Sequence, residues 1–244
     1  MKKPLLLVML LIPVLGCCSA QLRDEPNQQL TTKSGGWETL VWNFDNIDGW
    51  HYYTHTEEPT QEFYSLDNGI LSITTSAHTM DRNKLHTVVE NYREGSYAWR
   101  LYVPQMEPGA QVSVGAFLYA DDHHELDFEI GYGQEEARRS CGAGEGDMVA
   151  CLTNQDFPYH SNYVKITPGW HVCTIALEVV NNKYHASWQI DGVQVKTLAL
   201  NFGPSIGFLI ACSVENLTFM GDHTPTQDHT ALFDWVKLTR PVQK

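Results

Sequence analysis

His124-Glu125-Leu126-Asp127-Phe128-Glu129, together with the Ile130 that follows, carries the alternation that decides the fold. Side chains of an extended chain point to opposite faces in turn, so Glu125, Asp127 and Glu129 share one face. Leu126, Phe128 and Ile130 share the other, and all three are apolar. A strand with one apolar face packs it between two sheets and leaves its acidic face along an open surface or cleft.

Outward from this strand the chain runs in short β-rich segments broken by turn residues. No long stretch spaces its apolar residues at helical intervals. Strands are expected at 40–44, 69–74, 87–93, 96–103, 112–119, 125–130, 170–179, 185–190, 193–200, 207–214 and 232–238. Asp67-Asn68-Gly69 and Asp191-Gly192 supply tight turns between extended runs. Many short strands joined by tight turns imply a sandwich or barrel. The expected class is all-β, a two-sheet antiparallel β-sandwich, in one domain without internal repeats.

The ends and the composition bound the setting. Lys2 and Lys3 precede an apolar run over 5–15 that is too short to span a bilayer, so residues 1–20 read as an export signal. Val14-Leu15-Gly16-Cys17 resembles a bacterial lipoprotein signal ending before a lipid-bearing Cys17, whereas Cys18-Ser19-Ala20 suits ordinary cleavage before Gln21. Either route takes the chain out of the cytoplasm, to the cell envelope or the medium. Membrane contact is expected only through such an anchor, and the protein is expected to be a monomer. Residues 21–36, ending in Ser34-Gly35-Gly36, read as a flexible tether, which leaves 37–244 as the folded domain. A net charge of -13 argues against nucleic-acid binding, which needs clustered Lys and Arg. A neutral polysaccharide tolerates such a surface.

An exported chain can form disulfides, and Cys141, Cys151, Cys173 and Cys212 remain after the processing region. A bridge between Cys141 and Cys151, closing the Gly-rich loop between them, is the first expectation. Cys173 and Cys212 lie in apolar runs and equally suit buried thiols. No Cys-x-x-Cys pair with a His partner suggests a structural zinc site.

Three carboxylates on one strand face repel each other, and that cost asks for a reason. A solvated, charge-decorated edge or a cation site would be the plainest explanations. Calcium ligands, however, usually come from loops that wrap the ion, and this run is straight. Glycosidic-bond hydrolysis accounts for it better, because it needs one carboxylate nucleophile beside one protonated carboxyl. Crowding of like charges raises at least one pKa and keeps an acid protonated near neutrality. Cα atoms four residues apart on a strand are roughly 13 Å from each other. Two Glu side chains can lean inward over Asp127 toward the ~5.5 Å carboxyl spacing of a retaining enzyme.

Glu125-Leu126-Asp127-Phe128-Glu129 resembles the Glu-x-Asp-x-Glu motif of glycoside hydrolase family 16, and further segments follow in the family's order. Gly95-Ser96-Tyr97-Ala98-Trp99-Arg100-Leu101-Tyr102-Val103-Pro104 resembles the strand ahead of the catalytic region. Trp170-His171 through Glu178, with Trp188-Gln189-Ile190-Asp191-Gly192, resembles the later hairpin, and Phe233-Asp234-Trp235-Val236-Lys237-Leu238 the closing strand. The resemblance implies a concanavalin-like jelly roll and an endo-acting retaining hydrolase of β-linked polysaccharide, of β-glucan or β-galactan type. It implies Glu125 as nucleophile, Glu129 as acid/base and Asp127 hydrogen-bonded between them.

Around the motif, Tyr119 and Phe117 alternate on the preceding strand, and sugar C–H faces stack on such rings. Phe117 suits the core equally well. His123 shares the parity of Glu125 and is a candidate for a sugar hydroxyl, as are Asn91 and Arg93 on the expected strand 87–93. An exposed histidine and an ordinary surface cation are the alternatives for His123 and Arg93. Trp99, Trp170 and Trp188 suit the core. No cofactor is required; one structural Ca2+ held by Asp234 is suggested by the resemblance alone. The rival functions are a non-catalytic sugar-binding protein of the same fold, a transglycosylase and a structural surface lipoprotein. A lectin has no use for three adjacent carboxylates, whereas a transglycosylase shares them.

Overall fold

The computed structural model describes residues 30–55 and 62–242. The expected export signal, Cys17 and Cys18 and the first part of the expected tether lie outside these residues. Among the described residues sixteen strands follow one another. They are β1 (Leu30–Ser34), β2 (Trp37–Trp42), β3 (Trp50–His55), β4 (Tyr64–Asp67), β5 (Ile70–Thr75) and β6 (Arg82–Thr87). Next come β7 (Gly95–Val103), β8 (Val112–Asp121), β9 (His124–Gly131), β10 (Met148–Asn154) and β11 (His160–Ile166). The last are β12 (Gly169–Val180), β13 (Lys183–Ile190), β14 (Val193–Ala199), β15 (Leu209–Asn216) and β16 (His229–Pro241). A short α-helix, α1 (Glu135–Cys141), interrupts them between β9 and β10, and a 3-10 turn, Thr218–Met220, lies between β15 and β16.

The strands form two antiparallel sheets. One has the order β11-β10-β9-β8-β15-β6-β3. The other has the order β1-β2-β16-β7-β12-β13-β14, with β5 on β16 and β4 on β5. The expected sandwich is therefore the observed one, and the alternation in β9 explains its place. Leu126, Phe128 and Ile130 are fully buried in the core between the sheets, with Trp99, Trp188, Tyr97 and Phe233. Burial of each such side chain stabilises the fold by about 1.5–3 kcal/mol. The turns at Asn68-Gly69 and Asp191-Gly192 adopt the left-handed backbone that two-residue hairpins need, with φ of 50°, 75°, 51° and 78°.

Several expectations are corrected. The end of the expected tether is a hairpin: β1 pairs with β2 from Leu30↔Val41 to Ser34↔Trp37, and Gly35-Gly36 is its turn. The expected strand 87–93 is displaced to β6, at 82–87. Val88 and Val89 look like strand residues but are half exposed, because Thr87 turns its hydroxyl onto the Val89 carbonyl. Only one apolar residue, Leu85, marks β6, so its alternation is written in polar side chains. Strands β1, β3, β4, β10 and β11 and helix α1 were not expected.

The Cys141–Cys151 bridge is also not formed; all four described cysteines are free thiols. Cys141 ends α1, donating to the Arg138 carbonyl, while Cys151 sits in β10 against the Thr153 hydroxyl. Arg138 closes the Gly-rich loop instead, donating to the carbonyls of Tyr132, Asp147 and Gly144. Trp99 and Trp188 are core residues, but Trp170 is 38% exposed and lies under the Arg100 guanidinium. The Asp234 carboxylate is held by that same Arg100, so a cation there would have to displace a guanidinium. Among the described residues no group of three or more His, Cys, Asp and Glu side chains could hold a metal ion.

Candidate active site

Cross-strand pairing builds the site on the open face of the seven-stranded sheet. Glu129 lies between Gly115 of β8 and Cys151 of β10. Asp127 lies between Phe117 and Thr153, and Glu125 lies opposite Tyr119. The chain after β10 returns to the motif: the Gln155 N–H donates to the Glu125 carbonyl, and its Nε2 donates to Glu125 Oε2 at 2.5 Å. A side chain at Gly115 is excluded, since a Cβ there would lie 2.2 Å from Ser213 Oγ. That keeps the wall beside Glu129 low.

Farther across the sheet, the same face presents Leu209, Ala211, Ser213 and Glu215 of β15, then His86, Lys84 and Arg82 of β6. Beyond them stand His51, Tyr53 and His55 of β3. A cavity of about 550 Å³ opens over this region, lined among others by Tyr53, Arg82, Lys84, Phe117, Tyr119 and Glu125. Its size suits several ring-sized groups in a row.

The backbone of β9 is fixed from behind. Trp188 of the other sheet is fully buried and donates its indole N–H to the Asp127 carbonyl at 3.0 Å. Lys196 stacks on the Trp188 ring and donates to the carbonyls of Leu152 and His160. Desolvation pushes the Lys196 ammonium down to about 8.

The three carboxyls differ in ionisation for reasons visible in their surroundings. Burial lifts Glu125 to about 7, and the hydrogen bond shared with Asp127 and the Lys84 ammonium limit the rise. Burial and then the charge of Glu125 lift Glu129 to about 8. Asp127 is fully buried, and burial plus both flanking charges raise it well above the ordinary Asp range. Its Oδ2 meets no hydrogen-bond partner among the described residues. A fourth carboxylate, Glu215, is also buried. Burial alone would raise it, but Lys84 and Arg82 together hold it below the ordinary Glu value.

The structure brings Glu125, Asp127, Glu129, Phe117 and Tyr119 together. Phe117 is 7% exposed with Lys84 above its ring, so it lies at the floor of the cavity. Tyr119 turns its hydroxyl to Asp122. His123 is not brought in. Asp122-His123 is the hairpin turn, which breaks the parity with Glu125, and His123 is exposed. Asn91 and Arg93 are not brought in either, because β6 ends before them; Arg93 is spent on the Pro204 carbonyl. The residues missing from the sequence reading are Arg82, Lys84, Glu215, Gln155, Tyr53 and His55. For Arg82 and Lys84 the available signal was their alternation with Asn83 and Leu85.

Solved structures supply a comparison. A lichenase (β-1,3-1,4-glucanase) from a mouse hindgut metagenome superposes with a TM-score of 0.57 at 15% identity, over 85% of this chain and 100% of that one. A family 16 glycosyl hydrolase from Mycobacterium smegmatis gives 0.58 at 16% identity, over 81% and 98%. This chain has the family 16 glycoside hydrolase fold. The same fold is shared with the Crh5 transglycosylase, with a TM-score of 0.60 at 16% identity over 84% of each chain. No family model matches the sequence, and no curated protein matches it.

Proposed function

We propose that the chain is an endo-acting, retaining glycosidase of β-linked polysaccharide. The observation that carries this reading is the placement of Glu125, Asp127 and Glu129 side by side on the open face of β9, with Gln155 bound to Glu125 alone. Glu125, held by Gln155 and near Lys84, loses its proton before Glu129, which lies between Gly115 and Cys151. Glu125 then attacks the anomeric carbon while Glu129 gives its proton to the departing glycosidic oxygen. Asp127, protonated, keeps a hydrogen bond on Glu125 and fixes its direction. In the second half, Glu129 takes a proton from water and the hydroxide oxygen displaces Glu125. If a sugar hydroxyl replaces the water, the same chemistry yields transglycosylation, the activity named for one structure of this fold. Export by residues 1–20, with or without a lipid on Cys17, puts the site where polymeric glycan is met.

Incubation with lichenan, laminarin, agarose and carrageenan, with reducing ends measured, tests the reading. Release is expected from at least one of them. Glu125→Gln and Glu129→Gln should each lower it by about a thousand-fold while the thermal melt remains cooperative. Turnover retained in both variants would overturn the assignment.

A further inference from the structure

The end of the cavity away from β9 has a charge that a neutral sugar does not explain. Arg82 Nε and Lys84 Nζ both meet one oxygen, Glu215 Oε2, at 2.5 and 3.1 Å. One buried carboxylate thus stands under two cations. Their cross-strand partners on β3 are His55 and Tyr53, and the rings of the next pair, His86 and His51, are tilted to each other with centroids 6.0 Å apart. The carboxylates that line the cavity, Glu125 and Asp122, belong to its other end, and Asp122 is occupied by the Tyr119 hydroxyl.

The two cations are not equivalent. Lys84 is 18% exposed and has the larger influence on Glu125, so its charge is matched within the site. Arg82 is 47% exposed and hydrogen-bonds through Nε. Its Nη1 and Nη2 make no hydrogen bond among the described residues. In a chain of net charge -13, a guanidinium that lines a cavity with two donor nitrogens unused among the described residues is not an average piece of surface. A planar pair of N–H donors matches a carboxylate or a sulfate bidentately, and a sugar hydroxyl much less well.

Neighbouring strands lie about 4.8 Å apart, so β6 stands about 14 Å from β9 in the direction across the strands. That is beyond a ring held at Glu125 but within reach of the same oligosaccharide. Tyr53, half exposed beside Lys84, offers a ring on which the intervening sugar can stack. We propose that this end of the cleft receives an anionic substituent of the glycan, a carboxylate or a sulfate ester, with Arg82 as the contacting side chain. The proposal rests on the glycosidase reading and names the class of its substrate.

The test is calorimetric titration of the full chain carrying Glu129→Gln, which leaves ligands uncut. The probes are laminarin and agarose oligosaccharides in unmodified, carboxymethylated and sulfated forms. At low salt an anionic form should bind about ten-fold tighter than its neutral parent. The gap should narrow as salt is added, and the tighter of the two anionic forms identifies the substituent. Adding Arg82→Gln should close the gap, and Arg82→Lys should restore part of it. Should Arg82→Gln fail to fold, the salt dependence of the gap in the parent decides. Neutral oligosaccharides binding as tightly as both anionic forms would overturn the inference and leave the glycosidase reading standing. Failure of every glycan to bind would overturn both.

Discussion

Lys84 and Arg82 favour the anions of both Glu129, between Gly115 and Cys151, and Glu125 four residues earlier. Glu125 also takes the Gln155 amide and shares a hydrogen bond with Asp127, while burial and the charge of Glu125 lift Glu129 further. The carboxyls titrate as a coupled set, so the proton count of the set controls activity. The active form has Glu125 ionised and Glu129 protonated. Activity should therefore rise as pH passes about 7 and fall as it passes about 8, which a profile of kcat/KM would record. Lys84 lowers the Glu125 value, so Lys84→Met should move the rising limb to higher pH. A Gln155→Ala variant loses a hydrogen bond to the nucleophile and should lower kcat about ten-fold with little change in KM. A KM effect without a kcat effect would place Gln155 in substrate binding instead. At this scale the sequence showed the triplet, because parity alone puts Glu125, Asp127 and Glu129 on one face. It could not show Lys84 or Glu215, which reach the triplet only through pairing of β6, β15, β8 and β9.

Strand β9 is held on both edges by pairing and from beneath by the Trp188 indole, so the triplet stands on a rigid element. Trp188→Phe keeps a ring but orphans the Asp127 carbonyl, and should cost about 1–3 kcal/mol in denaturant unfolding. Arg138 holds the Tyr132 carbonyl ahead of α1 and the Gly144 and Asp147 carbonyls in the loop after it, and Arg138→Leu should destabilise by about 3 kcal/mol for the same reason. Most strands were legible because an apolar residue recurs every second position, as in Val112–Asp121 and Leu209–Asn216. Where it does not, the reading failed. β6 carries Leu85 alone, β11 reads His-Ser-Asn-Tyr-Val-Lys-Ile, and Val88-Val89 imitate a strand that the Thr87 hydroxyl bends away. The Gly-rich loop looked like one that a disulfide must close, and a buried arginine closes it.

Over the whole molecule the site opposes stability on the alkaline side. Glu125 and Glu129 have folded values above the ordinary Glu value, so their contribution is complete at low pH and is lost as pH rises through about 7 and 8. Glu215, Glu38 and Glu107 lie below the ordinary value, so theirs is lost as pH falls through their folded values. Burial also lowers His229, which adds to the loss on the acid side. Between the ordinary Glu value and these folded values the native state holds the extra protons, so the melting temperature should be highest near about pH 5, and Glu129→Gln should raise it more at pH 8.5 than at pH 5. Thiol titration in denaturant without reductant should find Cys141, Cys151, Cys173 and Cys212 reduced. The triplet's chemistry is tested most directly by the anomeric configuration of the first product, followed by proton NMR on whichever glycan is cleaved. A β-anomer appearing first and then mutarotating is expected for attack by Glu125. An α-anomer appearing first would contradict a covalent glycosyl-enzyme on this strand.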